Sequence, residues 1–266
     1  MNPPIAMTIA GSDCSAGAGM QADLKTFSSL GVHGLTAVTC VVSETPLTVN
    51  VVHPVPIEVL RDQIQLLLES YPVSAIKTGM LYSEGHILTV CELLEGKNIP
   101  LVVDPVMVAS TGDPLMAEGA LEAISRSLLP LATVITPNLP EAEILLGRAI
   151  QTADEQEVAA FELAKKFHTA CYLKGGHLAE GDQHRDLLVN DGQITAFSAP
   201  HLDLEHTHGT GCTLAAAMAA ELAKERSIEV AAERAHRFTH EALKNSLSWN
   251  VPGSAGTISH LDQIQR

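Results

Sequence analysis

Short apolar segments alternate with segments of helical periodicity along most of this chain, and this order most constrains its fold. "IAMTIAG" is a strand candidate, and "MQADLKTFSSLG" follows it with Leu24, Phe27 and Leu30 at helical spacing. "LTAVTCVV", "SAIKTGML", "PLVVDPV", "TVITPN" and "CYLKGGH" are further strand candidates. Strands that alternate with helices predict a mostly parallel central sheet with helices on both faces. We therefore predict an α/β fold, a three-layer αβα sandwich.

Composition and length agree with this prediction. Hydrophobic residues make up 46% of the chain and aromatic residues only 3%, which fits a core of Val, Ile, Leu and Ala around a parallel sheet. A chain of 266 residues is long enough for one large α/β domain. It contains no linker, internal repeat or low-complexity segment, so we predict a single domain over residues 1–266.

Charge and cysteine usage exclude several classes of protein. The net charge of −15 argues against a nucleic-acid or anionic-membrane partner. No apolar run is long enough to cross a bilayer, and no charged segment followed by an apolar run begins the chain. The five cysteines form no C-x-x-C pair, so neither structural zinc nor a disulfide framework is expected. We expect a soluble, cytoplasmic protein.

Three local signals predict where elements begin or turn. Asn138 is an N-cap candidate for the helix "LPEAEILLG". Thr152 and Glu155 have the spacing of a capping box. Asp191-Gly192 predicts the turn of a β-hairpin, the one clear antiparallel signal in the chain.

The segment "HGTGC", just before an apolar helix, is the first candidate for chemistry. Gly209 and Gly211 would let the backbone turn tightly at the positive end of the following helix. The N–H groups of Gly209–Cys212 would then point in one direction and form an anion hole for a transferring phosphoryl group. The helix terminus would lower the pKa of Cys212, which could then accept a proton from an alcohol. The alternative is an ordinary glycine-rich loop before a helix with a small buried cysteine.

Three more polar residues follow predicted strands. Asp104 and Glu141 could share Mg²⁺ through waters, and Lys174 could reach nucleotide phosphates as a point charge. Each also has an ordinary explanation: an Asp-Pro turn, a first-turn acid and an exposed lysine. Ligands of open α/β sheets bind at the carboxyl ends of strands, so the joint placement is more informative than any one residue.

Other motifs are excluded. Gly17, Gly19 and Ala22 match a dinucleotide fingerprint, but Gly17 lies too far beyond Gly11 at the strand's end, and Glu44, after the second strand, is the only acid near the expected offset. No P-loop, G-x-S-x-G or H-E-x-x-H motif occurs.

The segments "TIAGSDCSAGAGMQADLKTF", "KTGML", "VVDPVMVASTGDPL", "ITPNLPEAE", "LKGGH" and "THGTGCT" resemble, in order and spacing, the hydroxymethylpyrimidine/phosphomethylpyrimidine kinases of thiamine biosynthesis. This resemblance runs from about Ala6 to Leu214 and implies a ribokinase-like fold. It also implies two phosphate transfers from ATP with Mg²⁺, first to 4-amino-5-hydroxymethyl-2-methylpyrimidine and then to its monophosphate. A homodimer is common in the family.

The resemblance also implies roles for single residues. The substrate-binding set would be Gly11, Asp23, Glu44, Met80, Val106 and Met107. ATP would contact Asn138, Lys174 and Thr210, and Asp104 and Glu141 would organise Mg²⁺. Catalysis would fall to Lys174 and to the anion hole, which consists of Gly209, Thr210, Gly211 and Cys212.

Glu44 departs from the family pattern, in which a glutamine reads the pyrimidine ring. A glutamine amide both donates and accepts hydrogen bonds, whereas an ionised glutamate only accepts them. We hypothesise that Glu44 changes the selectivity for the pyrimidine or requires a protonated form. In the alternative, Glu44 rotates away and leaves this part of the pocket to water.

Two other functions stay open on the sequence. Related folds phosphorylate a hydroxymethyl group on a pyridine ring, so a pyridoxal-type kinase is one alternative. A non-catalytic pyrimidine- or nucleotide-binding protein is another, although such a protein has no need of Asp104, Glu141, Lys174 and Cys212 together.

Overall fold

The computed structural model describes residues 2–107, 117–176, 183–202, 204, 207–252 and 256–264. The strands of this part are β1 (Ile5–Asp13), β2 (His33–Thr45), β3 (Thr48–Pro54), β4 (Ala75–Thr78), β5 (Leu101–Val103), β6 (Val134–Ile135), β7 (Ala170–Leu173), β8 (Gln183–Asn190), β9 (Gln193–Pro200), β10 (Leu247–Asn250) and β11 (Thr257–His260). The helices are α1 (Gly19–Ser29), α2 (Ile57–Ser70), α3 (Glu84–Leu94), α4 (Ala120–Ala123), α5 (Leu139–Leu146), α6 (Ala153–Phe167), α7 (Thr210–Ala223) and α8 (Ile228–Lys244).

Nine of these strands form one sheet in the order β3-β2-β1-β4-β5-β6-β7-β8-β9. The strands from β2 to β7 pair in parallel, whereas β3 and the β8–β9 hairpin add antiparallel edges. The hairpin turns at Asp191-Gly192, where both residues have positive φ and Asn190 pairs with Gln193. The mostly parallel sheet and the predicted hairpin are both confirmed.

Helices cover both faces of the sheet, which confirms the three-layer αβα sandwich. On one face, Leu60 and Ile64 of α2 and Val90 of α3 join a core that continues to α6. On the other face, α1, α7 and α8 pack over the middle strands in a second core. In the described part of the chain, no helix is long and apolar enough to cross a membrane.

Helix α7 is the most buried helix of the second layer, and every residue from Thr213 to Ala223 is buried. Its many alanines let it lie close to the sheet and to α8, because a small side chain keeps the packed surfaces near each other. Its N-terminus is therefore fixed against the edge where the parallel strands end.

Local chemistry sets the start of two other helices as expected. Asn138 caps α5 and shares a reciprocal capping box with Glu141, while Thr152 and Glu155 do the same for α6. One expectation is wrong: Glu44 does not follow the second strand. Strand β2 continues to Thr45 because it pairs with β3, where Glu44 lies opposite Val49.

Candidate active site

A cavity of about 490 Å³ lies at the carboxyl edge of the sheet and receives most of the residues that the sequence singled out. We divide its lining into three parts along the strand order. The glutamate end contains Gly11, Val42, Glu44, Met80 and Val106. The centre contains Lys77, Asp104, Asn138, Glu141, Lys174 and Gly209–Cys212, and the histidine end contains His184, Asp186, Leu202, Leu204, His236, Thr239, His240 and Leu243.

Lys174 joins two acids at the centre. Its Nζ lies 3.0 Å from Oδ1 of Asp104 and 4.0 Å from Oε2 of Glu141. Burial would lower the pKa of Lys174, but the two carboxylates raise it overall, so the ammonium stays charged. Strands β5 and β7 end at these side chains, which is why residues 70 positions apart meet.

Glu141 is the more constrained of the two acids. Its Oε2 accepts the N–H of Asn138 at 2.8 Å in the capping box, and the N–H of Met107 also donates to its carboxylate. Burial raises the pKa of Glu141 above its ordinary value against the opposing charge of Lys174. The buried carboxyl group therefore holds a proton more tightly than a free glutamate does.

The loop before α7 brings two glycines and the N-terminus of α7 to the same centre. Gly209 has φ of 86°, and a Cβ on it would collide with the carbonyl oxygen of Gly17. A Cβ on Gly211 would lie 3.1 Å from Nζ of Lys174 and 3.4 Å from Oδ2 of Asp104. Glycines at both positions thus let the helix N-terminus approach the charged pair, an arrangement suited to an anion. The hydroxyl of Thr210 donates to the carbonyl of Thr207 at 2.7 Å.

Cys212 lies in the first turn of α7, but the predicted lowering of its pKa is wrong. Burial raises the pKa of the thiol to about 11, although Lys77 and a hydrogen bond from the N–H of Gly19 act in the opposite direction. Desolvation of a thiolate outweighs the helix terminus here. The thiol is therefore largely protonated at neutral pH.

Asp23 does not line the cavity, in contrast to its expected place in the pyrimidine pocket. Its carboxylate is fully buried, and it accepts hydrogen bonds from Lys77 at 2.9 and 3.0 Å and from the hydroxyl of Thr8 at 2.6 Å. Helix α1 and strand β4 carry the two partners beneath the cavity wall. Asp23 thus reaches the site through Lys77.

Lys77, within "KTGML", lines the cavity although no role for it was predicted from the sequence. Burial would lower its pKa, but the charge of Asp23, together with Cys212 and Asp104, raises it overall. The sequence did contain an indication, because Lys77 lies within strand β4, whose residues are all buried. Lysine is almost never fully buried unless it is paired, so its position indicates a buried acidic partner.

The glutamate end is more apolar and holds the residue that departs from the family pattern. Glu44 shares this wall with Met80 and Val106. Burial raises the pKa of Glu44 to about 7, and the charge of Asp13 acts in the same direction. Met107, the last of the expected substrate residues, lies instead in the first apolar core and outside the cavity lining.

His208 is a second cavity residue for which the sequence predicted no role. Its Nε2 lies 3.0 Å from Oδ2 of Asp13, and the same carboxylate accepts the N–H groups of Gly17 and Ala18. Burial would raise the pKa of Asp13, but these partners hold it well below its ordinary range. The Asp13–His208 contact links the glycine-rich loop after β1 to the loop before α7. His208 is the first residue of the "HGTGC" segment, so the sequence did place it beside the predicted anion hole.

Comparisons with known proteins agree with this geometry. Residues 13–257 match the family model described as phosphomethylpyrimidine kinase. A hydroxymethylpyrimidine/phosphomethylpyrimidine kinase of Streptomyces coelicolor is 43% identical over 98% of this chain and 95% of that protein. One from Bacillus subtilis is 41% identical over 96% of this chain and 94% of its own length.

A solved structure gives the same result at the level of the fold. The pyridoxal kinase from Staphylococcus aureus in complex with AMP-PCP and pyridoxal superposes with a TM-score of 0.87 at 36% identity, covering 99% of this chain and 94% of that one. The fold is therefore ribokinase-like, as the sequence predicted. From the match over most of its length, from its relatives and from its fold, this chain belongs to the phosphomethylpyrimidine kinase family.

Proposed function

We propose that this protein transfers phosphate from ATP to the hydroxymethyl group of 4-amino-5-hydroxymethyl-2-methylpyrimidine and then phosphorylates the monophosphate, in thiamine biosynthesis. The observation that carries the proposal is the Lys174–Asp104 pair facing the helix N-terminus at Gly211. A cation beside a set of backbone donors suits the charge of a transferring phosphoryl group. The names of the relatives supply the substrate class.

In this mechanism the protein acts chiefly by positioning and by charge. The glutamate end orients the pyrimidine, and the N–H groups of Gly209–Cys212 stabilise the phosphoryl oxygens during transfer. Lys174 can exchange part of its contact with Asp104 for a phosphate oxygen, because its side chain is 14% exposed. Asn138 and Thr210 are proposed as further contacts for ATP.

Cys212 remains the proposed acceptor of the proton from the substrate hydroxyl. Because burial raises its pKa to about 11, the thiol is largely protonated at neutral pH, and only the minor thiolate form can accept a proton. Phosphoryl transfer passes through a loose transition state, in which positioning and charge stabilisation do most of the work. We therefore propose that the proton of the substrate hydroxyl passes to the thiolate form of Cys212, which becomes the thiol.

Asp104 and Glu141 fit a magnesium ion. The hydrogen bonds from Thr136 and Lys174 both reach Oδ1 of Asp104, while Oδ2 faces the helix terminus at Gly211. In proteins Mg²⁺ commonly binds one or two carboxylates and completes its shell with waters and substrate phosphates. When bound, the ion would neutralise charge on the nucleotide phosphates and would favour the ionised form of Glu141.

Glu44 is the proposed determinant of pyrimidine selectivity. Its half-protonated state near pH 7 supports recognition of a ring nitrogen by the protonated carboxyl group, which can donate a hydrogen bond. A glutamine would donate at every pH. Glu44→Gln is therefore expected to change the ranking of pyrimidine substrates.

A pyridoxal-type kinase is the second candidate. The Staphylococcus aureus structure with AMP-PCP and pyridoxal covers 99% of this chain, and this observation favours testing pyridoxal as a substrate. Pyridoxal also carries a hydroxymethyl group on an aromatic ring, so the same centre would serve it.

The decisive experiment measures ADP release with MgATP and each of three compounds: the hydroxymethylpyrimidine, its monophosphate and pyridoxal. Products are identified by mass. Turnover of the first two compounds supports the proposal, and turnover of pyridoxal alone replaces it with the second candidate. Absence of ADP with every compound would identify a non-catalytic binding protein.

We also propose a homodimer. Exposed apolar side chains at Val41 and Val51 on the outer strands β2 and β3 support a pairing surface there. Light scattering after size-exclusion chromatography tests this, and a mass near 28.2 kDa would contradict it.

A further inference from the structure

The C-terminal hairpin of β10 and β11 lies outside the nine-stranded sheet, but the segment that follows it is buried. In the described part of the chain the two strands pair with each other and with no strand of the large sheet. Leu261, Asp262 and Gln263 are all buried, and the N–H of Asp262 donates to the carbonyl of Ala242 in α8. A two-stranded hairpin is marginally stable alone in water, so this one depends on the contacts at its end.

His260, the last residue of β11, packs against the glycine-rich loop after β1. A Cβ built on Gly17 would collide with Nδ1 of His260 and would lie 2.7 Å from Cδ2 of His208, so the glycine lies between two imidazole rings. The two rings are in an edge-to-face arrangement, with centroids 6.2 Å apart. Gly17 does not have a positive φ. The rings, and not the backbone conformation, therefore require a glycine at this position.

The ring of His260 is held by packing. Its Nδ1 is buried without a hydrogen-bond partner among the residues that the structure describes, which is rare for a buried polar atom. Burial and the neighbouring His208 lower the pKa of His260 against the charge of Asp13, so the ring is neutral at neutral pH. A neutral ring can pack against Gly17 on one side. The centroid of the Trp249 ring lies 5.8 Å from that of His260.

The loop that His260 contacts lies directly against the proposed anion hole. A Cβ on Gly209 would collide with the carbonyl oxygen of Gly17, so the two backbones touch. Two residues after Gly17, the N–H of Gly19 donates a hydrogen bond to Cys212. The glycine-rich loop therefore contacts the first and the last residue of the Gly209–Cys212 segment.

The C-terminal segment also reaches helix α7 without the loop between them. Nε2 of Gln263 donates to Oγ1 of Thr213 at 3.3 Å, and both residues are buried. Thr213 directly follows Cys212, and its N–H donates to the carbonyl of Gly209 at 2.9 Å. Two contacts from one short segment, at His260 and at Gln263, thus lead to the same part of the site.

We propose that His260 and Gln263 are positioning residues for phosphoryl transfer, which hold the N–H groups of Gly209–Cys212 in place from behind the cavity wall. This inference rests on the proposed kinase function and extends its machinery to a segment outside the cavity. Neither residue is part of the cavity lining, so His260 acts through Gly17 and Gln263 through Thr213. Donors stabilise a transition state only when they are fixed, and a misplacement of about 1 Å can cost about 10²-fold in rate.

The test is steady-state kinetics of the full chain with MgATP and whichever of the three compounds wild type turns over. His260→Ala removes the ring beside Gly17, and kcat should fall about tenfold. The KM for the phosphate acceptor should stay unchanged, because the lost interaction acts in the transition state. His260→Phe keeps a flat ring in this place and should retain the kcat of wild type.

Two further variants complete this series. Gln263→Met keeps the length of the side chain without its donor and should lower kcat severalfold, again at constant KM. Ser259→Ala is the matched control, since it removes only a contact within the hairpin, where the hydroxyl oxygens of Ser248 and Ser259 are 2.7 Å apart. Its kcat should equal that of wild type.

A pair of substitutions separates positioning from a general loss of stability. Gly17→Ala places a methyl group between the two rings and should lower kcat by about 10²-fold. In the double variant Gly17→Ala/His260→Ala the methyl group has room on the side that the ring has left. The double variant should therefore be faster than Gly17→Ala alone, whereas two changes that only weaken the fold would add their losses.

Thermal melting and the emission of Trp249, the only tryptophan of the chain, show whether each variant is folded with its hairpin in place. If folded His260→Ala and Gln263→Met both match wild type in kcat, the inference is overturned while the kinase function stands. A double variant slower than Gly17→Ala overturns it as well. If wild type releases no ADP with any compound, the proposed function itself fails. If His260→Ala does not fold, the comparison of Gln263→Met with Ser259→Ala decides alone.

Discussion

Two lysine–aspartate pairs meet near the centre of this cavity, and they have opposite surroundings. Lys77 and Asp23 are both fully buried, and their ammonium and carboxylate are 2.9 Å apart. Lys174 and Asp104 are 3.0 Å apart, but Lys174 is 14% exposed and faces the cavity. Of the first pair only Lys77 lines the cavity, and Asp23 lies behind it. Lys174 of the second pair can exchange its contact with Asp104 for a contact with a ligand. The same pairing of lysine with aspartate is thus sealed in the core in one place and, as we propose, takes part in catalysis in the other.

The largest expected effect is on the stability of the protein, at the Lys77–Asp23 pair, which we call the sealed pair. Lys77→Met leaves the Asp23 carboxylate buried with only Thr8 as a side-chain partner, and we expect a loss of about 3–5 kcal/mol in the free energy of unfolding. Chemical denaturation measures it.

Two controls sharpen this result. The double variant Lys77→Met/Asp23→Leu should recover most of the loss, because a buried apolar pair can replace a buried ion pair. Lys97→Met, at an exposed lysine, should change stability by less than about 0.5 kcal/mol. An equal effect of Lys77→Met and Lys97→Met would mean that the sealed pair contributes nothing.

The second effect is on activity, at the Lys174–Asp104 pair, which we call the open pair. Lys174→Met removes the cation beside the proposed anion hole, and kcat should fall by about 10²–10³-fold, as when one preorganised donor is removed from an oxyanion hole. Stability should change far less than in Lys77→Met, since Asp104 keeps its hydrogen bond from Thr136 and lines the cavity. Steady-state kinetics and denaturation on the same preparation test the contrast. If Lys174→Met lost as much stability as Lys77→Met but kept its kcat, the roles of the two pairs would be reversed.

Cys212 stands between the pairs and is the third test. Its pKa responds to Lys77, Asp23 and Asp104. Cys212→Ala should lower kcat by about a hundredfold, the low end of the effect of a general base, because the buried thiol is largely protonated. Cys212→Ser measures how much of this loss is shape alone. An unchanged kcat in Cys212→Ala would remove the thiol from the mechanism.

The smallest effect concerns pH at the glutamate end. The folded pKa of Glu44 is raised from its ordinary value of 4.5 to about 7, so the protonated form dominates below pH 7 and the carboxylate above it. Pyrimidine affinity in wild type should therefore fall about tenfold as pH rises through 7, as a donor to the ring nitrogen is lost. The KM of Glu44→Gln should be flat over the same range. Parallel profiles for the two proteins would contradict a role for this carboxyl group.

The same pKa shift has a consequence for stability. Because the folded state holds the Glu44 proton more tightly than the unfolded state, this group favours folding below pH 4.5, and its contribution declines as pH rises toward 7. Glu44→Gln should abolish that decline, and denaturation at the two ends of this range measures it.

What the sequence predicted best depends on neighbours in the chain. The capping box of Thr152 and Glu155 and the turn at Asp191-Gly192 involve residues within three positions of each other, so their chemistry is visible in a short window. The alternation of strands and helices determined the layers for the same reason. Because Asp104, Lys174 and the Gly209–Cys212 segment each follow a predicted strand or precede a predicted helix, the sequence also predicted that they lie at the same edge of the sheet.

The features that the sequence did not predict depend on contacts between residues far apart in the chain. Asp23 meets Lys77 across 54 positions, and burial raises the pKa of Cys212 against the local effect of the helix terminus. Neither fact follows from spacing. His236 gave no signal either, because its hydrogen-bond partners Asp186 and Tyr172 lie 50 and 64 positions away.

The contact between Asp13 and His208 joins residues 195 positions apart, and the carbonyl of Gly17 closes against Gly209 beside it. During synthesis the chain emerges from its N-terminal end, so β1 and its loop are present long before the segment that completes them. A nascent chain that ends before residue 208 lacks the N–H groups of Gly209–Cys212 that we propose to hold a phosphate, however well its earlier strands have paired. On that proposal, phosphate-bearing ligands stabilise only molecules whose synthesis has passed this segment.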